Sequence, residues 1–144
     1  MYKIGINGFG RTGRLVLRAA LDKGAEVVAV NDPFVTINKM VNSFKFDAIR
    51  GRFHGSVEAD NDRLIVNGQV ISVLRIREPK DIPWSSVGAE YIIEATGIFN
   101  TEQKAEAHID AGAKKVVISS PCSKPPMFVR VDFEAFNHNE KARE

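Results

Sequence analysis

The chain has 144 residues, of which 44% are hydrophobic and 26% are charged, with 20 Lys and Arg against 18 Asp and Glu. At roughly 100–200 residues per domain, this length predicts one domain, and the composition excludes an intrinsically disordered or collagen-like chain. The net charge of +2 is spread along the chain, whereas a dedicated nucleic-acid module would show a basic stripe with interleaved aromatic residues.

Along the chain, segments in which apolar residues recur every two residues alternate with segments in which they recur about every 3.6 residues. This alternation of strand-like and helix-like patterns is typical of β/α units. The first part of the chain is predicted to contain strands over 2–7 and 26–31 and helices over 10–23 and 36–46. Gly24 is placed to end the first helix in a left-handed conformation, and Thr36 is placed to cap the second. The apolar face predicted for the first helix consists of Leu15, Val16, Ala19 and Ala20.

The middle of the chain has short alternating runs over 56–58, 63–66 and 70–76, separated by polar turns. Asn67-Gly68 is a strong hairpin signal, because a type I′ turn needs positive φ at both central positions. These runs predict a small antiparallel insertion. A turn and a short helical piece around Trp84 are predicted to follow, with the indole ring packed in the core.

The β/α pattern resumes after residue 90, with strands predicted over 91–95, 115–119 and 127–131 and a helix over 101–111. The complete pattern predicts an α/β fold of Rossmann type, with a doubly wound, mostly parallel sheet and an antiparallel hairpin insertion. The predicted domain covers 1–131, and 132–144 is predicted to be a divergent polar tail.

A glycine-rich sequence links the first predicted strand to the first predicted helix. Residues 8–13, Gly-Phe-Gly-Arg-Thr-Gly, match the pattern G-x-G-x-x-G. Gly8 permits a tight turn, Gly10 permits the close approach of a pyrophosphate, and Gly13 permits close packing of helix on strand. The N–H groups at the start of the helix then lie at the positive end of its dipole, where a phosphate binds. A purely structural turn is the alternative.

Asp32 comes directly after the second predicted strand, nineteen positions after Gly13. A carboxylate at this point is placed to accept hydrogen bonds from the ribose of a bound dinucleotide. It would repel the 2′-phosphate of NADP, and no basic residue follows it immediately. The predicted cofactor is therefore NAD.

The carboxyl ends of the later strands also predict ligand contacts, because ligands of open α/β sheets bind beyond those ends. Small polar residues occur there, at Thr96-Gly97 and at Ser119. The further candidates for a pocket around the adenine are Phe34, Phe99 and Arg77. Core packing is the alternative for the two rings, and an exposed strand-end position is the alternative for the arginine.

Several segments follow one another in an order that carries a family resemblance. They are Lys-Ile-Gly-Ile-Asn-Gly-Phe-Gly-Arg (3–11), Asn-Asp-Pro-Phe (31–34), Gly-Arg-Phe (51–53), Ile-Pro-Trp (82–84), Glu-Ala-Thr-Gly (94–97) and Gly-Ala-Lys-Lys-Val (112–116). Residues 2–129 thereby resemble the NAD-binding half of the phosphorylating glyceraldehyde-3-phosphate dehydrogenases. Together, motif and resemblance predict as cofactor-binding residues Asn7, Gly8, Phe9, Gly10, Arg11, Thr12, Gly13, Asn31, Asp32, Phe34, Arg77, Thr96, Gly97, Phe99 and Ser119.

The chain departs from the family in the residues that perform catalysis. The nucleophilic cysteine of the family lies in a Ser-x-x-Ser-Cys-Thr-Thr-Asn motif, which does not occur in these 144 residues, and the likeness fades from Arg130. Cys122 lies among prolines with no histidine near it in sequence, so an inert thiol is expected. No catalytic residue and no metal ligand is predicted, and the catalytic domain is expected to be absent.

Three functional hypotheses remain open from the sequence. In the first, the chain supplies only the NAD site of a glycolytic oxidoreductase and is inactive alone. In the second, a catalytic domain or a full-length homologue completes the enzyme in trans. In the third, the chain is a binding module for RNA or a protein. The basic residues considered for RNA binding are Arg11, Arg14, Arg18 and Lys23. Their near-helical spacing is also typical of a solvated helix face, which is the alternative.

The remaining features predict location and assembly. No apolar run approaches the ~18–20 residues that span a bilayer, and the first residues do not form a secretory segment. The single cysteine allows no intrachain disulfide. The predicted location is the cytoplasm, with no membrane contact. Residues 119–136 are predicted to expose an apolar patch when the catalytic domain is absent, so self-association is expected.

Overall fold

The computed structural model describes residues 2–47, 51–97, 102–120 and 127–132. The strands in these residues are β1 (Lys3–Asn7), β2 (Glu26–Asn31), β3 (Phe46–Asp47), β4 (Gly51–Arg52), β5 (Val57–Asp60), β6 (Arg63–Val66), β7 (Gln69–Leu74), β8 (Tyr91–Glu94), β9 (Lys115–Ser120) and β10 (Met127–Asp132). The helices are α1 (Arg11–Asp22), α2 (Ile37–Lys45) and α3 (Glu102–Asp110), with a single 3-10 turn at Pro79–Asp81.

Eight strands form one sheet in the order β10-β9-β8-β1-β2-β7-β6-β5. The five central strands, from β9 to β7, pair in parallel, and antiparallel pairs extend the sheet at both edges. The chain runs outward from β1 through β2 to β7 and then returns to the other side of β1 with β8. This reversal between β1 and β8 is the mark of a doubly wound Rossmann-type sheet, which confirms the predicted fold class.

Apolar side chains cover both faces of the sheet. On one face, α1 and α2 bury Leu17, Met40 and Phe44 against the strands. On the other face, α3 and the segment that follows the 3-10 turn bury Ala105 and Trp84. Because both faces of the central strands are covered, these strands are apolar along nearly their whole length.

The buried face of α1 differs from the prediction. The buried residues of α1 are Gly13, Leu17 and Ala20, whereas Ala19, which was predicted to face the core, is exposed. The helix approaches the sheet most closely at Gly13. Leu17 and Ala20, four and seven residues later, lie on the same face of the helix. The predicted caps are confirmed: Gly24 has φ 72°, and the Thr36 side chain accepts a hydrogen bond from the N–H of Lys39.

The predicted antiparallel hairpin insertion is confirmed, and it continues the main sheet. Asn67 and Gly68 have φ values of 51° and 83°, both positive as a type I′ turn requires. The strand that follows, β7, pairs in parallel with β2, so β5 and β6 extend the main sheet. The helical piece predicted around Trp84 is wrong, since the 3-10 turn precedes it at Pro79–Asp81. The predicted tail, 132–144, lies outside the described residues except for Asp132.

Replacing Gly68 with alanine is expected to lower the free energy of unfolding by about 1 kcal/mol, because a Cβ atom disfavours positive φ. An added Cβ would meet no other atom within 4 Å, so steric crowding does not contribute. Denaturant unfolding measures the effect. Ser56→Ala, an exposed change immediately before the neighbouring strand β5, is the control and should stay within about 0.5 kcal/mol of the unaltered chain. An unchanged stability for Gly68→Ala would contradict the turn geometry.

Candidate functional site

A cleft of about 280 Å³ opens at the carboxyl edge of the sheet, beside the point where the strand order reverses. Ligands of doubly wound sheets bind at this edge. The residues that line the cleft are Asn7, Gly8, Gly10, Asn31, Asp32, Pro33, Phe34, Val35, Ile76, Arg77, Ala95 and Thr96. Most of them were predicted from the sequence, and they come from the ends of β1, β2 and β8 and from the segment after β7.

The glycine-rich loop packs between α1 and the end of β8. Gly8 has φ 100°, and a Cβ atom there would lie 2.9 Å from the backbone of Ala95 and Thr96. A Cβ atom on Gly13 would overlap the carbonyl oxygen of Gly8. Gly10 is different, because an added Cβ would meet nothing within 4 Å. Two glycines are therefore required by packing, and the third leaves open space above the loop.

The N-terminus of α1 presents free backbone donors to the cleft. Its N-cap is Gly10, no side chain caps it, and its first turn contains no acidic residue. The first N–H groups of a helix have no partner within the helix and carry a partial positive charge. By contrast, α2 is capped by the Thr36 side chain. The α1 terminus is thus suited to an anionic ligand such as a phosphate group.

The Asp32 carboxylate joins the glycine-rich loop to the turn that follows β2. Its Oδ2 accepts a hydrogen bond of 2.8 Å from the N–H of Phe9, and its Oδ1 accepts one of 2.9 Å from the N–H of Phe34. The residue is 8% exposed and lines the cleft. A carboxylate has about four lone-pair positions, so Asp32 keeps acceptor capacity for the hydroxyl groups of a ligand.

An aromatic ring and an arginine form the outer wall of the cleft. Phe34 is 70% exposed, so the alternative that it is a core residue is wrong. The guanidinium carbon of Arg77 lies 5.4 Å from the centre of the Phe34 ring, within the range of a cation–π contact. The pair offers a flat surface on which a planar base can stack.

The two asparagines at the ends of β1 and β2 form the floor of the cleft. The Asn31 Nδ2 group donates to Asn7 Oδ1 (2.8 Å) and to the carbonyl oxygen of Ile76 (2.9 Å). The N–H of Ile76 in turn donates to Asn31 Oδ1. Asn7 Nδ2 donates to Glu94 Oε1 at 2.6 Å. Both amides are buried, and they hold the ends of the strands together beneath the cleft.

The other predicted site residues lie at several distances from the cleft. Phe9 is 0% exposed and packs against Phe44 in the core, so only its backbone belongs to the loop. Residues 11–12 lie in the first turn of α1, and Gly97 follows Thr96 with φ 77°. Phe99 lies outside the described residues, and Ser119 is described only as part of the backbone of β9.

Sequence reasoning singled out neither Glu94 nor His108 as an individual site residue. Both are 0% exposed, and His108 Nε2 lies 2.7 Å from Glu94 Oε1 beneath the cleft. A signal was present in the sequence, because a glutamate ends the otherwise apolar strand Tyr91–Glu94. A buried carboxylate is rare unless polar partners surround it.

Two arginines of α1, Arg14 and Arg18, are bound to backbone carbonyl groups. Arg14 Nη1 donates to the carbonyl oxygen of Phe9, and Arg18 Nη2 donates to those of Phe44 and Gly51. These contacts anchor loops, whereas the alternative to an RNA patch that the sequence suggested was a solvated helix face. In the described part of the chain, no three His, Cys, Asp or Glu side chains converge as a metal site requires. None of the helices in the described residues has the length and hydropathy that a transmembrane span requires.

This combination of sheet topology, glycine-rich loop and strand-end carboxylate defines the class of Rossmann-type dinucleotide-binding domains. Residues 2–102 match the family model described as "Glyceraldehyde 3-phosphate dehydrogenase, NAD binding domain". The chain therefore belongs to this family, and NAD is its cofactor, as the sequence predicted.

Three curated relatives illustrate the similarity. Glyceraldehyde-3-phosphate dehydrogenase of Glossina morsitans morsitans is 61% identical over 142 residues, which cover 98% of this chain and 43% of that protein. Glyceraldehyde-3-phosphate dehydrogenase 1 of Drosophila melanogaster is 58% identical, with the same coverage. The cytosolic enzyme of Gracilaria gracilis is 53% identical over 128 residues, 88% of this chain and 38% of that protein. The chain thus spans less than half the length of these relatives.

Proposed function

We propose that the chain holds NAD across the cleft, with the adenosine ribose at Asp32 and the pyrophosphate over the glycine-rich loop. The observation that carries this placement is the Asp32 carboxylate, which is fixed by the N–H groups of Phe9 and Phe34 beside the uncapped end of α1. A carboxylate at this point accepts hydrogen bonds from ribose hydroxyls. The open space above Gly10 admits the pyrophosphate.

The two halves of the dinucleotide are proposed to lie on opposite sides of β1. The adenine half occupies the side of β2, where Phe34 and Arg77 form a flat wall. The nicotinamide half occupies the side of β8, where Thr96 and Gly97 follow the strand. The amides of Asn7 and Asn31 support the floor, while Phe99 and Ser119 stay predictions from the sequence.

The role of these residues is to bind and orient the cofactor. When bound, NAD accepts a hydride from the substrate. The names of the relatives support glyceraldehyde 3-phosphate as the substrate of the complete enzyme. The 144 residues contain one cysteine, Cys122, and no Ser-Cys-Thr-Thr sequence. We therefore propose that this chain alone binds NAD without turnover, and that a catalytic domain or a full-length homologue supplies the nucleophile.

The cytosolic relative from Gracilaria gracilis supports a cytoplasmic location for this chain. Self-association also remains a proposal, because the side chains of 119–136, on which it depends, lie outside the described residues. Sedimentation over a wide concentration range would test it, and a monomer throughout would contradict it.

Calorimetric titration of the 144-residue chain with NAD, and with NADP in parallel, tests the proposed function. We expect saturable NAD binding and at least about tenfold weaker NADP binding, because Asp32 repels the 2′-phosphate. A parallel assay of dehydrogenase activity should detect none for the chain alone. The absence of binding at millimolar NAD would contradict the proposal, and so would turnover without a partner chain.

A further inference from the structure

A continuous series of buried hydrogen bonds runs from Trp84 to the floor of the cleft. The indole Nε1–H donates to His108 Nδ1 at 3.1 Å, and His108 Nε2 lies 2.7 Å from Glu94 Oε1. The same oxygen accepts the Asn7 amide at 2.6 Å. Trp84, His108 and Glu94 are each 0% exposed. This buried network meets the binding site described so far at Asn7 and, through Glu94, at Thr96.

The hydrogen bonds assign the tautomer of His108. An indole N–H only donates, so the Nδ1 atom of His108 accepts and carries no proton. The ring proton is therefore on Nε2, where it donates to Glu94. In this arrangement His108 is a neutral imidazole, and it acts on Glu94 as a hydrogen-bond donor and not as a cation.

The Glu94 carboxylate is saturated with donors. Its Oε1 accepts from Asn7 and His108, and its Oε2 accepts from the N–H (2.9 Å) and the hydroxyl group (2.6 Å) of Thr96. Four hydrogen bonds fill the capacity of a carboxylate. Burying a charge is costly unless it is hydrogen-bonded in this way. Replacing a whole buried polar network by well-packed apolar residues is often neutral or stabilising, so the presence of this network calls for a functional explanation.

The network lies directly beneath the topological switch point. Asn7 and Glu94 are paired neighbours at the carboxyl ends of β1 and β8, the two strands between which the order reverses. Asp32 lies on the β2 side of this point, the side of the adenine half. Glu94 and Thr96 therefore lie on the side of the nicotinamide half.

We infer that Glu94 and His108 are positioning residues for the nicotinamide half of the site, an inference that rests on the proposed function. Both are buried away from the ligand and act through two groups that line the cleft, the Asn7 amide and Thr96. Polar groups that are fixed before binding need no rearrangement when the ligand arrives. The buried network, which begins at Trp84 on one face of the sheet, holds Asn7 and Thr96 in place in this way.

The variant Glu94→Gln tests the inference, since it keeps the shape and replaces one acceptor oxygen by a donor. In either orientation of the new amide, its NH₂ group faces a fixed donor: the backbone N–H of Thr96 in one, and the side chains of Asn7 and His108 in the other. We expect NAD affinity to fall at least about tenfold. The affinity for AMP, which probes the adenine half alone, should stay within about twofold of that of the unaltered chain.

Glu90→Gln is the matched control, because Glu90 immediately precedes β8, whose other end carries Glu94. The hydrogen bond from Lys114 lowers the pKa of Glu90, so this carboxylate is charged at neutral pH. The control therefore removes one negative charge, as Glu94→Gln does. Both affinities should be unchanged in this variant. If Glu94→Gln binds NAD as tightly as the unaltered chain, or loses AMP affinity equally, the positioning role is overturned. Failure of the unaltered chain to bind NAD would instead overturn the proposed function itself.

A second measurement needs no substitution and remains valid if Glu94→Gln does not fold. Trp84 is the single tryptophan of the chain, so the protein gives one indole N–H resonance. If the network couples Trp84 to the nicotinamide half, saturating NAD shifts this resonance and saturating AMP leaves it in place. An equal response to the two ligands, or no response to NAD, would overturn the inference.

Discussion

Replacing Gly13 with alanine is expected to lower the free energy of unfolding by about 2–3 kcal/mol and to weaken NAD binding at least about tenfold. The added Cβ would overlap the carbonyl oxygen of Gly8. The Cβ atom is held in place by the helix backbone and the oxygen belongs to the backbone of the loop, so neither rotates away as the end of a flexible side chain would. The overlap must push α1 away from β1, and this movement displaces the loop and the helix N-terminus on which the pyrophosphate is placed.

Gly10→Ala is the control that separates binding from stability. A Cβ atom at this position meets nothing within 4 Å, and φ is −80°, so the unfolding free energy should change by less than about 1 kcal/mol. The methyl group occupies the space that the pyrophosphate needs, so NAD affinity should still fall. Denaturant unfolding and calorimetric titration of both variants measure these effects. Unchanged stability for Gly13→Ala, or unchanged NAD binding for Gly10→Ala, would contradict the assigned glycine roles.

Local sequence signals predicted the elements whose geometry is decided locally. The type I′ turn at Asn67-Gly68 and the Thr36 cap depend on neighbouring residues alone. The buried stripe of α1 was partly mispredicted because it depends on where the helix contacts the sheet, and that contact is set by Gly13. The strands β3 and β4, of two residues each, are too short to show any periodicity.

The candidate site was predictable to the extent that it is built from neighbours in sequence. The spacing from the glycine-rich loop to Asp32 reflects one β-α-β unit, so a single motif predicted both. The contact between Glu94 and His108 joins β8 to α3 and depends on how the helix packs on the sheet. One histidine in a polar helix gives no sign of such a contact. The burial of the Phe9 side chain in the core could not be predicted either, because a motif gives the spacing of residues along the backbone and not the direction of a side chain.

Replacing Asp32 with asparagine is expected to weaken NAD binding by about 10–100-fold, since hydrogen bonds to a charged group contribute roughly 1.5–3 kcal/mol. Asparagine keeps one acceptor oxygen, so one of the N–H groups of Phe9 and Phe34 also loses its partner. The free energy of unfolding should fall by about 1–2 kcal/mol for that reason.

The affinity for NADP should respond differently to the same substitution. Removing the carboxylate removes the repulsion of the 2′-phosphate, which offsets the lost hydrogen bonds, so the preference for NAD should fall at least about tenfold. Asp22→Asn is the control, because Asp22 is an exposed carboxylate at the far end of α1. It removes the same charge and should leave both affinities unchanged. If Asp32→Asn weakened the two cofactors equally, the carboxylate would act only through the loop that it holds, and the ribose would not lie at Asp32.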